Sequence, residues 1–166
     1  TLAVAAALGE GRAPVEAQCD ELARQCQFIQ DCGVHLLSSG ETVSRFGFVH
    51  ALYQNVLYER LPASRRAQLH RRIAEQVESL YGEHAGEIAV ELAMHFEQAA
   101  SYTQAVKYLQ QAAEKDILRF AYQEAVALSR RGLELLGRLP DTPQRARQQL
   151  RLQLILGVAL IVTEGY

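Results

Sequence analysis

Between Phe48 and Tyr81 the chain reads as two amphipathic helices joined through a Leu61-Pro62 turn, with no recognisable catalytic group along the stretch. Apolar residues at Leu52, Val56 and Leu57, and again at Leu69, Ile73, Val77 and Leu80, recur at the interval that lines one side of a helix, while the other side is largely Arg, Gln and Glu. The pattern is that of a scaffold.

A chain of 166 residues that is 49% apolar has enough material for one sizeable domain or two small ones. Its net charge of -2 supplies no bulk attraction for nucleic acid or anionic lipid, so any such attraction has to come from a local patch. The three cysteines, Cys19, Cys26 and Cys32, form an odd set without CxxC spacing, which fits a reduced, cytoplasmic protein. Cys19 and Cys26 share a helical side with Val15, Leu22 and Ala23 and read as small buried apolar residues. The apolar run Leu150 to Val162 is interrupted by Arg151 and Gln153 and falls short of the roughly 18–20 residues that cross a bilayer. No basic segment precedes the apolar residues of the amino terminus, so a signal peptide is not expected there; the segment resembles the end of a helix cut from a longer chain.

Read along its length, the chain begins with a short helix at Leu2 to Leu8, stopped by Gly9 and Gly11, and a second helix from Pro14 to about Gln25. Phe28-Ile29 and Val34 to Leu37 have β character, Ser38 to Glu41 reads as a turn, and Phe46 and Phe48 alternate with Arg45, Gly47 and Val49 as in a strand. Helix, helix, hairpin, helix is the order of a winged-helix unit, with its wing at about residues 34–48. Beyond Gly82 the pattern is wholly helical, with segments at about 85–99, 102–119, 121–138 and 142–162, the last capped by Asp141 or Thr142. Ala89, Leu92, Ala93 and Phe96, followed by Ala105 and Leu109, have the spacing of a tetratricopeptide repeat, in which small residues let two helices approach and large ones fill the groove between them. A second set, Ala112-Ala113, Tyr122, Glu124-Ala125 and Gly132-Leu133, restarts after about 20 residues instead of about 34, and leaves the pairing of helix 102–119 open. Leu156-Gly157 and Leu160 resemble the opening of a further repeat. The fold class expected is mainly α: a winged-helix unit with a small β-hairpin over residues 1–81, then a tetratricopeptide-like antiparallel helical array over residues 82–166.

Phe46, Phe48, His50-Ala51-Leu52-Tyr53, Tyr58-Glu59-Arg60-Leu61-Pro62, Arg66, Leu69-His70-Arg71-Arg72-Ile73-Ala74 and Leu80-Tyr81-Gly82 together resemble the winged-helix and tetratricopeptide regions of large bacterial STAND-type signalling ATPases, a family that includes adenylate or guanylate cyclases and transcriptional regulators. The resemblance implies an ATPase core upstream in the same protein, with ATP or ADP as its cofactor, and a cyclase, kinase or DNA-binding output. It also implies that this part is non-catalytic, coupling nucleotide state to the binding of a protein or peptide partner. Val49-His50-Ala51 is similar to the Met-His-Asp signature of that family, which places the histidine near the β-phosphate of ADP. Val49 and Ala51 depart from that signature. His50 is therefore read either as a nucleotide-phosphate contact or as a capping or core-edge histidine.

No phosphate-binding loop, dinucleotide fingerprint or nucleophile elbow occurs in the chain, so no cofactor is assigned to it and no enzyme activity is expected of it alone. Glu91 and His95 stand four apart on one helical side, as two metal ligands would, but without a third they read as a surface pair. Arg60, Arg65, Arg66, His70, Arg71 and Arg72 form the basic patch. Arg65, Arg66, Arg71 and Arg72 would carry the alternative reading, a DNA-binding winged helix; Glu59, Glu75 and Glu78 nearby favour a solvated face or ion pairing with the ATPase core. For a protein or peptide partner the candidate contacts on the inner groove of the repeats are Glu91, His95, Tyr108 and Gln111.

Overall fold

The computed structural model describes residues 9, 11–25, 28–36, 40 and 42–165, which divide into two compact units, Thr1–Gly82 and Glu83–Tyr166. The fold is mainly helical with one two-stranded antiparallel sheet. The expected helix at Leu2 to Leu8, residue Cys26, and all of the turn at Ser38 to Glu41 except Gly40 lie outside the described residues.

In the first unit, helix α1 (Arg12–Arg24) leads to strands β1 (Ile29–Leu36) and β2 (Thr42–Phe48), then to helices α2 (Ala51–Glu59) and α3 (Ala63–Tyr81). Pro14 sits in the first turn of α1, where its missing N–H costs nothing. The helix is fastened to the hairpin by Glu16, whose Oε1 accepts from Ser44 Oγ at 2.8 Å and from Arg12 Nε at 3.3 Å. The Ser44 hydroxyl, seconded by Arg12, holds the Glu16 carboxyl below the usual carboxylate range. The guanidinium of Arg12 also donates to the Thr42 carbonyl, so both members of an ion pair within α1 hydrogen-bond to the start of β2.

The hairpin is longer than the wing expected at residues 34–48. Its register runs from Ile29 opposite Phe48 to Leu36 opposite Thr42, and is broken by a bulge between Asp31 and Val34. Gly33 supplies the positive φ of +81° that the bulge requires, and Asp31 Oδ1 accepts from its N–H at 2.7 Å. The bulge interrupts the two-residue alternation, which is why β1 reads in the sequence as two separate runs. Cys19 is half-buried instead of buried, with burial pushing its thiol pKa up, and Cys32 is exposed on the hairpin.

Helix α2 departs from expectation. Its periodic side is real, but Leu52, Val56 and Leu57 are 59%, 43% and 48% exposed, so periodicity located a face without locating anything to cover it. The helix contacts β2, and Tyr53 meets Phe28 edge-on at 5.3 Å. Tyr58 holds α2 to α3, its hydroxyl 2.9 Å from His70 Nε2 and its ring 5.0 Å beneath the Arg66 guanidinium.

In the second unit a 3₁₀ helix (Gly82–Ile88) precedes α4 (Ala89–Gln98), α5 (Tyr102–Leu118), α6 (Tyr122–Leu136) and α7 (Pro143–Leu160), with a π-helical turn at Ile161–Gly165. The helix expected from residue 85 thus opens as 3₁₀. Each α-helix packs on the next, and α5 additionally touches α7. Ala93, Ala105, Ala112 and Ala113 are buried at the close approaches, while Leu92, Phe96, Leu109, Leu135, Leu136 and Leu152 fill the spaces left. Each of these large side chains contributes about 1.5–3 kcal/mol by leaving water. Phe96 and Tyr108 stack with centroids 5.8 Å apart, joining α4 to α5.

The links α4–α5 and α5–α6 are the same turn made twice. Ser101 N donates to Phe96 O at 2.8 Å and Ala100 N to Glu97 O at 2.9 Å; twenty residues on, Ala121 N donates to Asp116 O at 2.9 Å and Phe120 N to Ile117 O at 3.1 Å. These paired bonds close each helix on a residue at positive φ, Ala100 at 55° and Phe120 at 61°. The 20-residue restart seen in the sequence is this turn repeating. Arg131 on α6 clamps Glu97 on α4 through two donors and holds Glu134 at 2.7 Å, which raises the guanidinium pKa further. Thr142 caps α7, accepting from Arg145 N at 3.1 Å ahead of Pro143.

Candidate functional site

Because α5 packs on α4, α6 and α7, it shares one side of the array with α7, and a groove of about 320 Å³ lies between the two. Every residue of the lining carries a polar or charged side chain. Helix α5 contributes Lys107, Gln110, Gln111 and Glu114; helix α7 contributes Gln144, Arg147, Gln148 and Arg151. Lys107 Nζ lies 4.6 Å from the centre of the Tyr108 ring and donates to its hydroxyl at 3.4 Å. Gln110 is buried and donates to Glu114 Oε1 at 2.8 Å, so the one acid on the lining is engaged by its own helix. Arg147 and Arg151 are exposed, one helical turn apart, and make no hydrogen bond or ion pair among the described residues.

Of the four partner residues expected from the sequence, Gln111 lies in this groove and is exposed. Glu91 lies in a separate hollow of about 540 Å³ formed by α4 and α5, beside Met94, Lys115 and Arg119. His95 is half-buried on α4. Tyr108 is a correction: expected on the groove, it is 2% exposed and stacked on Phe96, so it belongs to the core. The structure therefore does not bring the four together. Sequence reasoning missed the α7 residues: from Thr142 to Thr163 there are three arginines and no acid, but that run does not say which helix α7 lies beside; among the described residues Arg145 alone of the three has an ion-pair partner, Asp141 at 3.3 Å.

His50 is the residue before α2, at φ -142° and ψ 135°, and its Nδ1 accepts from Leu52 N at 3.0 Å. The ring caps its own helix. With Nδ1 used as acceptor, the neutral imidazole carries its proton on Nε2, so any phosphate contact would be made by that atom, while the Leu52 N–H is already taken.

The basic patch of the first unit does not present one surface. At about 100° per residue, Arg65 and Arg72 share a side of α3 while Arg66 and Arg71 point about 100° and 240° away from Arg65. Arg66 is occupied against Tyr58, Arg71 and Arg72 have partners within the chain, and burial, with Arg66 beside it, lowers the pKa of His70. Among the described residues no group of three or more His, Cys, Asp or Glu side chains is placed to hold a metal ion, and no helix is long and apolar enough to cross a membrane.

Compared with known proteins, the chain matches no family description, no curated protein and no solved structure. The functional reading rests on its own residues and geometry.

Proposed function

We propose that this chain is a non-catalytic, cytoplasmic regulatory and interaction part of a STAND-type signalling ATPase, coupling nucleotide state in the first unit to the binding of a protein or peptide in the second. The observation that carries the reading is the lateral contact of α5 with α7, which leaves a polar groove lined by two arginines that have no partner among the described residues. A packed helical scaffold with an open polar groove suits recognition, since the partner meets side chains already held in place. In the first unit His50, with Nε2 free of the helix cap, is the group proposed to contact a nucleotide phosphate, the ATPase core of the same protein supplying the rest of that site. The DNA-binding alternative is weaker, because the arginines of α3 diverge around the helix and are partly engaged.

Selection of a displayed random peptide library on the purified chain tests the reading, with ATP hydrolysis measured on the same preparation. The expected result is enriched peptides whose binding is lost on Arg147→Glu with Arg151→Glu, and no turnover. Hydrolysis of ATP, or enrichment indifferent to the double variant, contradicts it.

A further inference from the structure

We infer that the partner held between α5 and α7 is an extended peptide segment carrying carboxylates at alternate positions; this rests on the groove being a peptide site. The charge of the lining makes the case first. Lys107, Arg147 and Arg151 face one carboxylate, Glu114, and that carboxylate is already engaged by Gln110. The groove is thus a positive locality on a chain whose net charge is -2. Helix α7 supplies no acid to neutralise its arginines, and neither Arg147 nor Arg151 has a partner among the described residues. Both guanidinium groups can take a carboxylate through two parallel N–H donors.

Spacing makes the case second. Arg147 and Arg151 are four apart on one helix, which sets them about 6 Å from each other along its axis. In an extended peptide, side chains on the same side recur every second residue, at about 6.6–6.8 Å. A segment running along α7 with acids at every other position therefore meets both arginines in register. The amides of Gln111, Gln144 and Gln148 each offer a donor and an acceptor, the pair of functions that a peptide bond complements. Nucleic acid fits less well: no exposed aromatic ring lines the groove for a base to stack on, and Glu114 would oppose a phosphate chain.

Fluorescence anisotropy tests this with three labelled dodecapeptides of one Gly/Ser background, bearing Glu, Gln or Lys at alternate positions, and with oligothymidylate of equal length as competitor. At low salt the Glu peptide should bind about tenfold more tightly than the Gln peptide, as two exposed charge pairs warrant, and the advantage should shrink as salt rises. Arg147→Gln with Arg151→Gln should erase that advantage while leaving the helical circular dichroism and melting temperature unchanged, since both residues are exposed. Equal binding of the Glu and Gln peptides overturns the acidic preference while the peptide groove stands. Failure of all three peptides to bind overturns the groove reading itself. Displacement of the Glu peptide by oligothymidylate at lower concentration than by unlabelled Glu peptide assigns the groove to nucleic acid instead.

Discussion

Replacing Gly132 by Ala probes the closest approach in the helical array. Gly132 is buried on α6, and a methyl group built there would stand 2.7 Å from Leu152 Cδ1, 3.3 Å from Cδ2 and 3.6 Å from Cγ. Ordinary carbon contacts lie at about 3.5–4.0 Å, so the nearest is about 1 Å too short. Leu152 is wholly buried on α7, so it cannot swing aside without displacing its own neighbours. Overpacking of this kind costs about 1–3 kcal/mol, and the intrusion here belongs toward the upper end. Against it, Ala gains about 1 kcal/mol over Gly as a helix former. The expected net result is a loss of about 1–2 kcal/mol in urea unfolding followed by circular dichroism at the helix band. Leu152→Ala alone should cost about 2–5 kcal/mol through the cavity it opens. In the double variant the new methyl enters the vacated space, so the combined loss should be smaller than the two single losses added together. Stabilisation by Gly132→Ala of about 1 kcal/mol, with additive behaviour in the double variant, would mean that α6 and α7 do not nest as described.

Other consequences are equally open to measurement. Ala100→Gly and Phe120→Gly should each raise stability by about 0.5–1 kcal/mol, because relief of the left-handed backbone at φ 55° and 61° exceeds the added freedom of glycine in the unfolded chain; a loss in both would contradict the turn geometry. Ser129→Ala should be neutral or stabilising by up to about 1 kcal/mol, since the Ser129 hydroxyl is buried without a hydrogen-bond partner among the described residues; a loss above that size would reveal a partner. Burial, with Arg66 adding to it, lowers the pKa of His70 in the folded state below its ordinary 6.5, so the unfolded chain takes up the proton first and stability should fall as pH drops below about 6.5. His70→Gln should flatten that part of the stability profile, and an unchanged acid slope would place its origin elsewhere.

Helices α4, α5 and α6 were legible because each buries a continuous side at the helical interval, whereas on α7 the buried residues are Leu152 and Ala159 and much of the apolar run is exposed. Tyr102–Leu118 and Tyr122–Leu136 fall within a residue or two of the expected 102–119 and 121–138, and the alternation of Ala with Leu and Phe marks where they touch. What sequence left obscure has separate physical causes. The bulge at Gly33 disguised one strand as two fragments. Periodicity in α2 could not say that Leu52 and Val56 would be uncovered, because a face is a property of one helix and burial a property of two. Tyr108 looked like a groove residue because a phenol can serve either surface or core, and only the stacking on Phe96 decides. Arg147 and Arg151 acquire significance only when α7 is laid beside α5, a contact between helices that are not consecutive and leave no shared signature in sequence.

Nitrogen-15 labelled protein titrated with the alternating Glu dodecapeptide tests the central claim most directly, that the α5–α7 groove is where this chain meets its partner. Amide shifts should concentrate on Gln111 of α5 and on Gln144, Arg147, Gln148 and Arg151 of α7, and should disappear in the Arg147→Gln, Arg151→Gln variant. Shifts centred instead on Ala51–Glu59 or on Arg65 to Arg72, or no shifts at saturating peptide, would contradict it.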